Sequence, residues 1–224
     1  MTLSSGFWAC MVLGLSVTSV VSRGVTFVKM TPTISTSKSI PVLDDFFWYF
    51  AFGSNLLKER IRVQIKGAQF EAVGHLTNYE LAFFDYGNRW KGAPASVEEK
   101  FGSEVWGCVW RVPNSFADEL DAQESGYHRL NVTIDIPTQL DEDGNIRKII
   151  CRTYQLSNPN RTRQNPSPHY KHVIISGAIE HKLPTSYIEK LKEIPDNGYK
   201  GRVELDLSVL HELNGQAPES GADL

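Results

Sequence analysis

Cysteine is scarce. Three in 224 residues, with no C-x-x-C pair, exclude a disulfide-dense scaffold and the usual spacing of a structural zinc site. Basic blocks are missing as well. The 23 Lys and Arg are scattered among 26 Asp and Glu, giving a net charge of −3, so no phosphate-tracking face for nucleic acid is implied. No unbroken apolar run reaches the ~20 residues of a membrane-spanning helix. A G-x-S-x-G elbow, H-E-x-x-H, a P-loop and G-x-G-x-x-G are all absent, which removes the common serine-hydrolase, zinc-protease and nucleotide-binding signatures. His169 and His172 stand at i, i+3 without a third ligand and read as solvated histidines. No metal and no cofactor is expected.

Charge is also absent from residues 1–22. Phe7 to Val21 is apolar apart from Gly, Ser and Thr, and Arg23 is the first charged residue. Such a run matches the h-region of a secretory signal peptide, with Val20 and Ser22 as the small residues before cleavage at Arg23. A buried strand or an uncleaved anchor is the alternative, since no basic n-region precedes it. Cleavage would make the chain secreted, free of the membrane, and would remove Cys10. Two sequons, at Asn131 and Asn160, would then become glycosylation acceptors; Asn160 is the better placed, in a loop.

Residues 23–45, rich in Thr, Ser, Lys and Pro, read as a linker. Phe46 to Phe52 is a strand bulky on both faces, hence central, and Leu56 to Ile65 an amphipathic helix. Four strands follow, Glu71 to Leu76, Tyr79 to Phe84, Ala93 to Val97 and Val105 to Val112. Trp106, Cys108 and Trp110 share a face of the last, which indicates packing. A short helix opens near Ser115, with Asp118 in a capping-box position, and closes at Ser125-Gly126. His128 to Ile136 and Ile146 to Leu156 flank a hairpin loop at 141–145. After a loop over 157–168 come helices at Tyr170 to Lys182 and from Pro184-Thr185. The domain spans 46–210 and a tail 211–224, polar and glycine-rich from Gly215. Strands with late helices give one α+β domain.

Two places could carry chemistry. Phe52-Gly53-Ser54-Asn55 hands a strand to a helix, and a helix start offers unpaired N–H groups to an anion; an ordinary N-cap is the alternative. On the short helix, ~100° per residue places Glu124 on the stripe of Ala117 and Leu120, while Asp118 and Glu119 face water. Desolvation would raise the pKa of that carboxyl, suiting it to take and return a proton. A swing outward, or pairing with Arg129, is the alternative.

Tyr49-Phe50-Ala51-Phe52-Gly53-Ser54-Asn55-Leu56 resembles the signature of the γ-glutamylcyclotransferases. Four later stretches resemble that family in its order: Glu104 to Trp110, Leu120 to Glu124, Cys151 to Tyr154, and Pro166 to Lys171. Together they cover about Phe47 to Val203. The resemblance implies a small mixed β-barrel flanked by helices and conversion of a γ-glutamyl amino acid or dipeptide to 5-oxoproline and a free amino acid. In this chemistry the substrate's own α-amine attacks its γ-carbonyl, so no nucleophilic side chain is required. Glu124 matches the catalytic glutamate. Tyr49, Phe50, Ala51, Phe52, Gly53, Ser54, Asn55, Tyr127 and Tyr170 match substrate-binding positions. Two departures stand out: Phe52 replaces a tyrosine, and the stretch from Glu124 to Tyr127 is a few residues short. Two other readings remain, an isopeptide-type γ-glutamylamine cyclotransferase and a secreted, catalytically silent binding protein. A homodimer is left open. Cys108 and Cys151 are expected to stay buried and reduced.

The leader reading has a direct test. N-terminal sequencing of secreted material should begin near Arg23; a start at Met1 would overturn it.

Overall fold

The computed structural model describes residues 13–22, 25–34 and 45–215, the first two segments by backbone alone. Those segments are strands β1 (Leu13–Ser22) and β2 (Val25–Ile34), paired antiparallel from Leu13↔Ile34 to Ser22↔Val25. They belong to a separate unit, Met1–Leu43, and the second strand lies in the stretch read as a linker. The first twelve residues of the stretch read as a leader, with Cys10, the expected cleavage point at Arg23, and the stretch beyond Gly215 lie outside the described residues.

In the second unit, five strands close into a barrel in the order β3-β5-β4-β6-β7. They are β3 (Phe46–Ala51), β4 (Gln69–Phe83), β5 (Ala95–Pro113), β6 (Tyr127–Leu140) and β7 (Ile146–Leu156). The expected α+β barrel is therefore present. As its bulk on both faces suggested, β3 is central: it pairs antiparallel with β5 and parallel with β7 through Tyr49↔Arg152. Thr153 Oγ1 donates to the Phe50 carbonyl at 2.8 Å, reinforcing the parallel seam. The Phe50 ring fills the space over Gly74 and Gly107, where added Cβ atoms would come within 3.3 and 2.7 Å of it.

Where four strands were expected between 71 and 112, the chain makes two long ones. The ladder slips from Thr77↔Glu104 to Tyr79↔Glu99. Asn78 (φ 62) and Gly102 (φ 78) take left-handed conformations there, and Gly102 N donates to Asn78 Oδ1 at 3.0 Å. The two breaks in alternation face each other, so they form one bulge and the pairing resumes beyond it.

Helices α1 (Lys58–Gln64), α2 (Ala117–Gln123), α3 (Pro168–Glu180), α4 (Thr185–Glu193) and α5 (His211–Gly215) lie outside the strands. The capping box at Ser115 does not form, because Asn114–Phe116 makes a 3-10 turn first and no side chain caps α2. Ser167 does cap α3, accepting from Tyr170 N at 3.1 Å. The helical α5 falls inside the stretch read as tail, just after buried Leu207 and Leu210. Trp106 stacks on His75, and Trp110 meets Phe70 and His181 edge-on, so that face is packing. His169 departs from the solvated reading, being 2% exposed and against Tyr199; His172 is exposed. Among the described residues no His/Cys/Asp/Glu cluster could hold a metal. Cys108 and Cys151 are buried and free, with β3 between their strands in the barrel order.

Helix α3 seats on the turn after β3 at Gly177. A Cβ there would lie 2.4 Å from Leu57 N and 2.6 Å from Leu56 C. Gly177→Ala should therefore cost ~1–3 kcal/mol of overpacking, more than the ~1 kcal/mol of helix propensity it gains. Thermal denaturation should show a Tm lower by several degrees; an equal or higher Tm would mean α3 does not rest there.

Candidate active site

From Ala51 the chain turns through Phe52 and Gly53 into a 3-10 turn, Ser54–Leu56, and only then enters α1. Leu56 N bonds to Gly53 O and Leu57 N to Ser54 O, at 3.0 and 3.1 Å. Lys58 N, at the start of α1, donates to Glu180 of α3 at 3.0 Å. The helix start expected at Gly53-Ser54-Asn55 is thus a 3-10 turn, with α1 beginning only at Lys58, and neither Ser54 nor Asn55 caps a helix.

Asn55 has a different task. It is 3% exposed, and its amide nitrogen donates to Tyr49 Oη at 3.0 Å and to Glu124 Oε1 at 3.1 Å. Its Oδ1 accepts from Gln123 Nε2 at 2.9 Å. One amide uses both donors and its acceptor to lock the end of α2 onto the turn after β3.

Glu124 is the C-cap of α2 (φ −92, ψ 28), its N–H bonded to Leu120 O at 3.1 Å. The helical wheel therefore holds one residue past the helix and keeps Glu124 on the Leu120 side. Asp118 and Glu119 are exposed, as expected. Gly126 (φ 92) then turns the chain into β6. The alternative ion pair does not form, because Arg129 binds Asp121. Hydrogen bonding from Arg129 holds Asp121 down at about 2. Glu124 is half-buried as a residue, with its carboxyl turned inward to Asn55 and to Tyr49 Oη at 3.5 Å. Burial raises its pKa to about 7, against the opposing pull of Arg60 and the Tyr49 hydrogen bond.

These groups border a cavity of about 330 Å³ of empty space. Phe52, Gly53, Ser54, Tyr127 and Tyr170 line it beside Tyr49, Asn55 and Glu124. Phe50 and Ala51 do not; both are core residues with no exposure. Tyr127 reaches the site despite the short preceding loop, donating to Ala95 O at 2.8 Å. The Tyr170 hydroxyl accepts from Ala95 N at 3.3 Å and from the Ser54 backbone, which leaves its own proton to donate. Burial pushes Tyr170 up to about 12 and Tyr49 well above its usual value, so both remain protonated near neutrality.

Three residues escaped the sequence reading. Tyr154 lines the cavity, packs edge-on against Tyr49 and donates to Asp121 at 2.6 Å. Arg60 is 2% exposed on α1. It had a legible signal, since Leu57, Arg60, Ile61, Gln64 and Ile65 follow the spacing of a buried stripe. Arg89, in the loop before β5, offered none.

Residues 104–191 match the model of the AIG2-like family. The chain is 41% identical over 161 residues to "Gamma-glutamylcyclotransferase" of Mus musculus, spanning 70% of this chain and 83% of that protein. To the Homo sapiens protein of the same name it is 37% identical over 171 residues, spanning 73% and 87%. A solved structure titled "Gamma-glutamyl cyclotransferase" superposes with a TM-score of 0.65 at 36% identity, covering 76% of this chain and 96% of that one.

Linkage gives the site a testable sign. Glu124 has a folded pKa of about 7, above the ~4.3 of a free glutamate. The folded state therefore favours the protonated carboxyl, and ionisation costs stability as pH rises from about 4 to about 7. The penalty is at most about 4 kcal/mol, less where solvent at the cavity mouth screens the charge. Glu124→Gln escapes it. In urea denaturation the variant's stability relative to the parent should be higher at pH 8 than at pH 5; no such rise would mean that the carboxyl is not desolvated.

Proposed function

The chain belongs to the γ-glutamylcyclotransferase family, and from that membership and the site's geometry we propose that it converts γ-glutamyl amino acids or dipeptides to 5-oxoproline and the free amino acid or amine. The observation that carries the reading is the enclosed Glu124 carboxyl, poised near neutrality beside Tyr49 and Asn55.

The chemistry follows from those groups. The γ-glutamyl half enters the cavity folded, its α-ammonium toward Glu124. The carboxylate takes one proton, and the freed amine nitrogen attacks the γ-carbonyl carbon, closing a five-membered ring. As the C–N bond forms, the carbonyl electrons move to oxygen, and the Tyr170 hydroxyl is the donor best placed to meet that oxyanion. Collapse breaks the bond to the leaving nitrogen as Glu124 returns the proton there, and the carboxylate so freed takes the second proton from the ring nitrogen and passes it to the released amine. Of the three protons on the starting ammonium, one stays on the lactam nitrogen and two end on the released amine. Holding the reacting atoms together supplies much of the rate. A pKa near working pH lets one carboxyl serve first as base and then as acid. With Phe52 lining the cavity, the hydroxyl that a tyrosine would bring is absent.

We propose also that the chain is exported and glycosylated. The uncharged stretch over residues 1–22 supports export. Asn160, exposed in the loop after β7, and Asn131, exposed on β6, are accessible acceptors.

Release of 5-oxoproline from a panel of γ-glutamyl dipeptides tests the enzyme reading. The rate should rise with pH through about 7 as Glu124 ionises. Glu124→Gln should fold and lose ~10²–10⁴-fold in turnover, while Glu119→Gln, exposed on the same helix, should retain it. An active Glu124→Gln would remove the proton-shuttle role.

A further inference from the structure

An outer cleft with about 800 Å³ of empty space adjoins the cavity and shares Ser54, Glu124, Tyr127 and Tyr170 with it. The two differ in chemistry. Hydroxyl groups dominate the inner cavity, whereas Arg60, Asn88 and Arg89 line the outer cleft. Arg60 is 2% exposed. Its Nη1 donates to Gln64 at 3.2 Å, and its Nε is buried without a partner. Among the described residues, neither Arg60 nor Arg89 has a carboxylate within the 4.0 Å of an ion pair. The guanidinium groups also act on each other: after burial, Arg89 is the next cause lowering the pKa of Arg60, against a weaker opposing pull from the Glu124 carboxylate.

The loop carrying Arg89 is fixed rather than adaptable. Gly87 and Gly92 bond to each other across it at 3.0 and 3.4 Å. Asn197 Nδ2 donates to Lys91 O at 2.7 Å, and Ala93 N to Asn165 O at 3.1 Å. Burying a cation with a donor unfilled is costly. Two unpaired guanidinium groups on one wall are an arrangement that a planar, bidentate anion relieves.

We propose that the wall of Arg60 and Arg89 holds the carboxylate of the amino acid on the leaving side of the amide. The inference rests on the cyclotransferase reading and extends it to substrate selection. The smaller inner cavity accommodates the half that cyclises. The scissile amide crosses where the two spaces share Glu124 and Tyr170, so the leaving half extends along the cationic wall. A γ-glutamyl amino acid supplies the missing anion there. A γ-glutamylamine leaves both arginines unpaired.

γ-Glutamylalanine and γ-glutamylethylamine differ by that carboxylate alone. The full chain should favour the first by ~10-fold or more in kcat/KM, the range of one charge-assisted hydrogen-bond contact. Arg89 is exposed, so Arg89→Gln should fold, and it should collapse the preference mainly through a higher KM for γ-glutamylalanine. Equal kcat/KM for the two substrates in the parent would overturn the subsite. Equal losses on both substrates in Arg89→Gln would overturn it too, placing that arginine against the cyclising half. No 5-oxoproline from either substrate would instead overturn the cyclotransferase reading, and this inference with it.

Discussion

A carboxyl withheld from water must be held by something, and in this protein the holder is one asparagine. Asn55 ties Glu124, Tyr49 and Gln123 into a single network. Desolvation alone would drive the carboxyl far toward its neutral form, while the distant positive charge of Arg60 and the hydroxyl of Tyr49 pull the other way. The balance leaves it near neutrality. That is the condition for a group that must be base in one step and acid in the next. Without the clamp, the residue that follows a seven-residue helix would be free to turn into solvent, and the carboxyl would behave as any surface glutamate does.

The barrel makes the clamp possible. β3 is flanked on both edges by strands, so its exit at Ala51 is fixed in position, and the Tyr49 ring is fixed with it. α3 presses on the following turn where Gly177 permits backbone contact, and Tyr170 from the same helix reaches the Ser54 backbone and Ala95. Glu180, at its far end, takes the first N–H of α1. A single helix thus sets the turn, supplies a hydroxyl to the cavity and orients the helix that bears Arg60.

The cavity and the cleft divide the work by charge. Tyrosines that stay protonated can donate without adding charge, which suits an oxyanion that exists only transiently. Permanent cations suit a carboxylate that is present from binding to release. Arg60 acts on both sides: its field lowers the pKa of Glu124, and its side chain lines the outer cleft. An anion bound there would partly cancel that field, so occupancy of the cleft and the basicity of Glu124 are electrostatically linked.

The sequence by itself determined most of the barrel's elements and set one carboxyl apart from its acidic neighbours. Period-two alternation marked the strands, the bulk of Phe46 to Phe52 marked the central one, and the wheel of α2 separated Glu124 from Asp118 and Glu119, because these are local geometric consequences of residue spacing. The resemblance of ordered motifs pointed to the barrel and to Tyr49, Asn55, Tyr127 and Tyr170. What failed locally were the two breaks at 77–78 and 101–103, which only pairing across β4 and β5 could merge into one bulge, and the cap at Ser115, pre-empted by a 3-10 turn. Only the tertiary structure decided that Asn55 is a clamp rather than a helix cap, that Phe50 fills the barrel instead of the site, and that Arg60 and Arg89 share a wall. Asn55 and Glu124 are 69 residues apart in the chain. Which partner a polar side chain takes depends on what folding brings beside it, and no spacing rule carries that information.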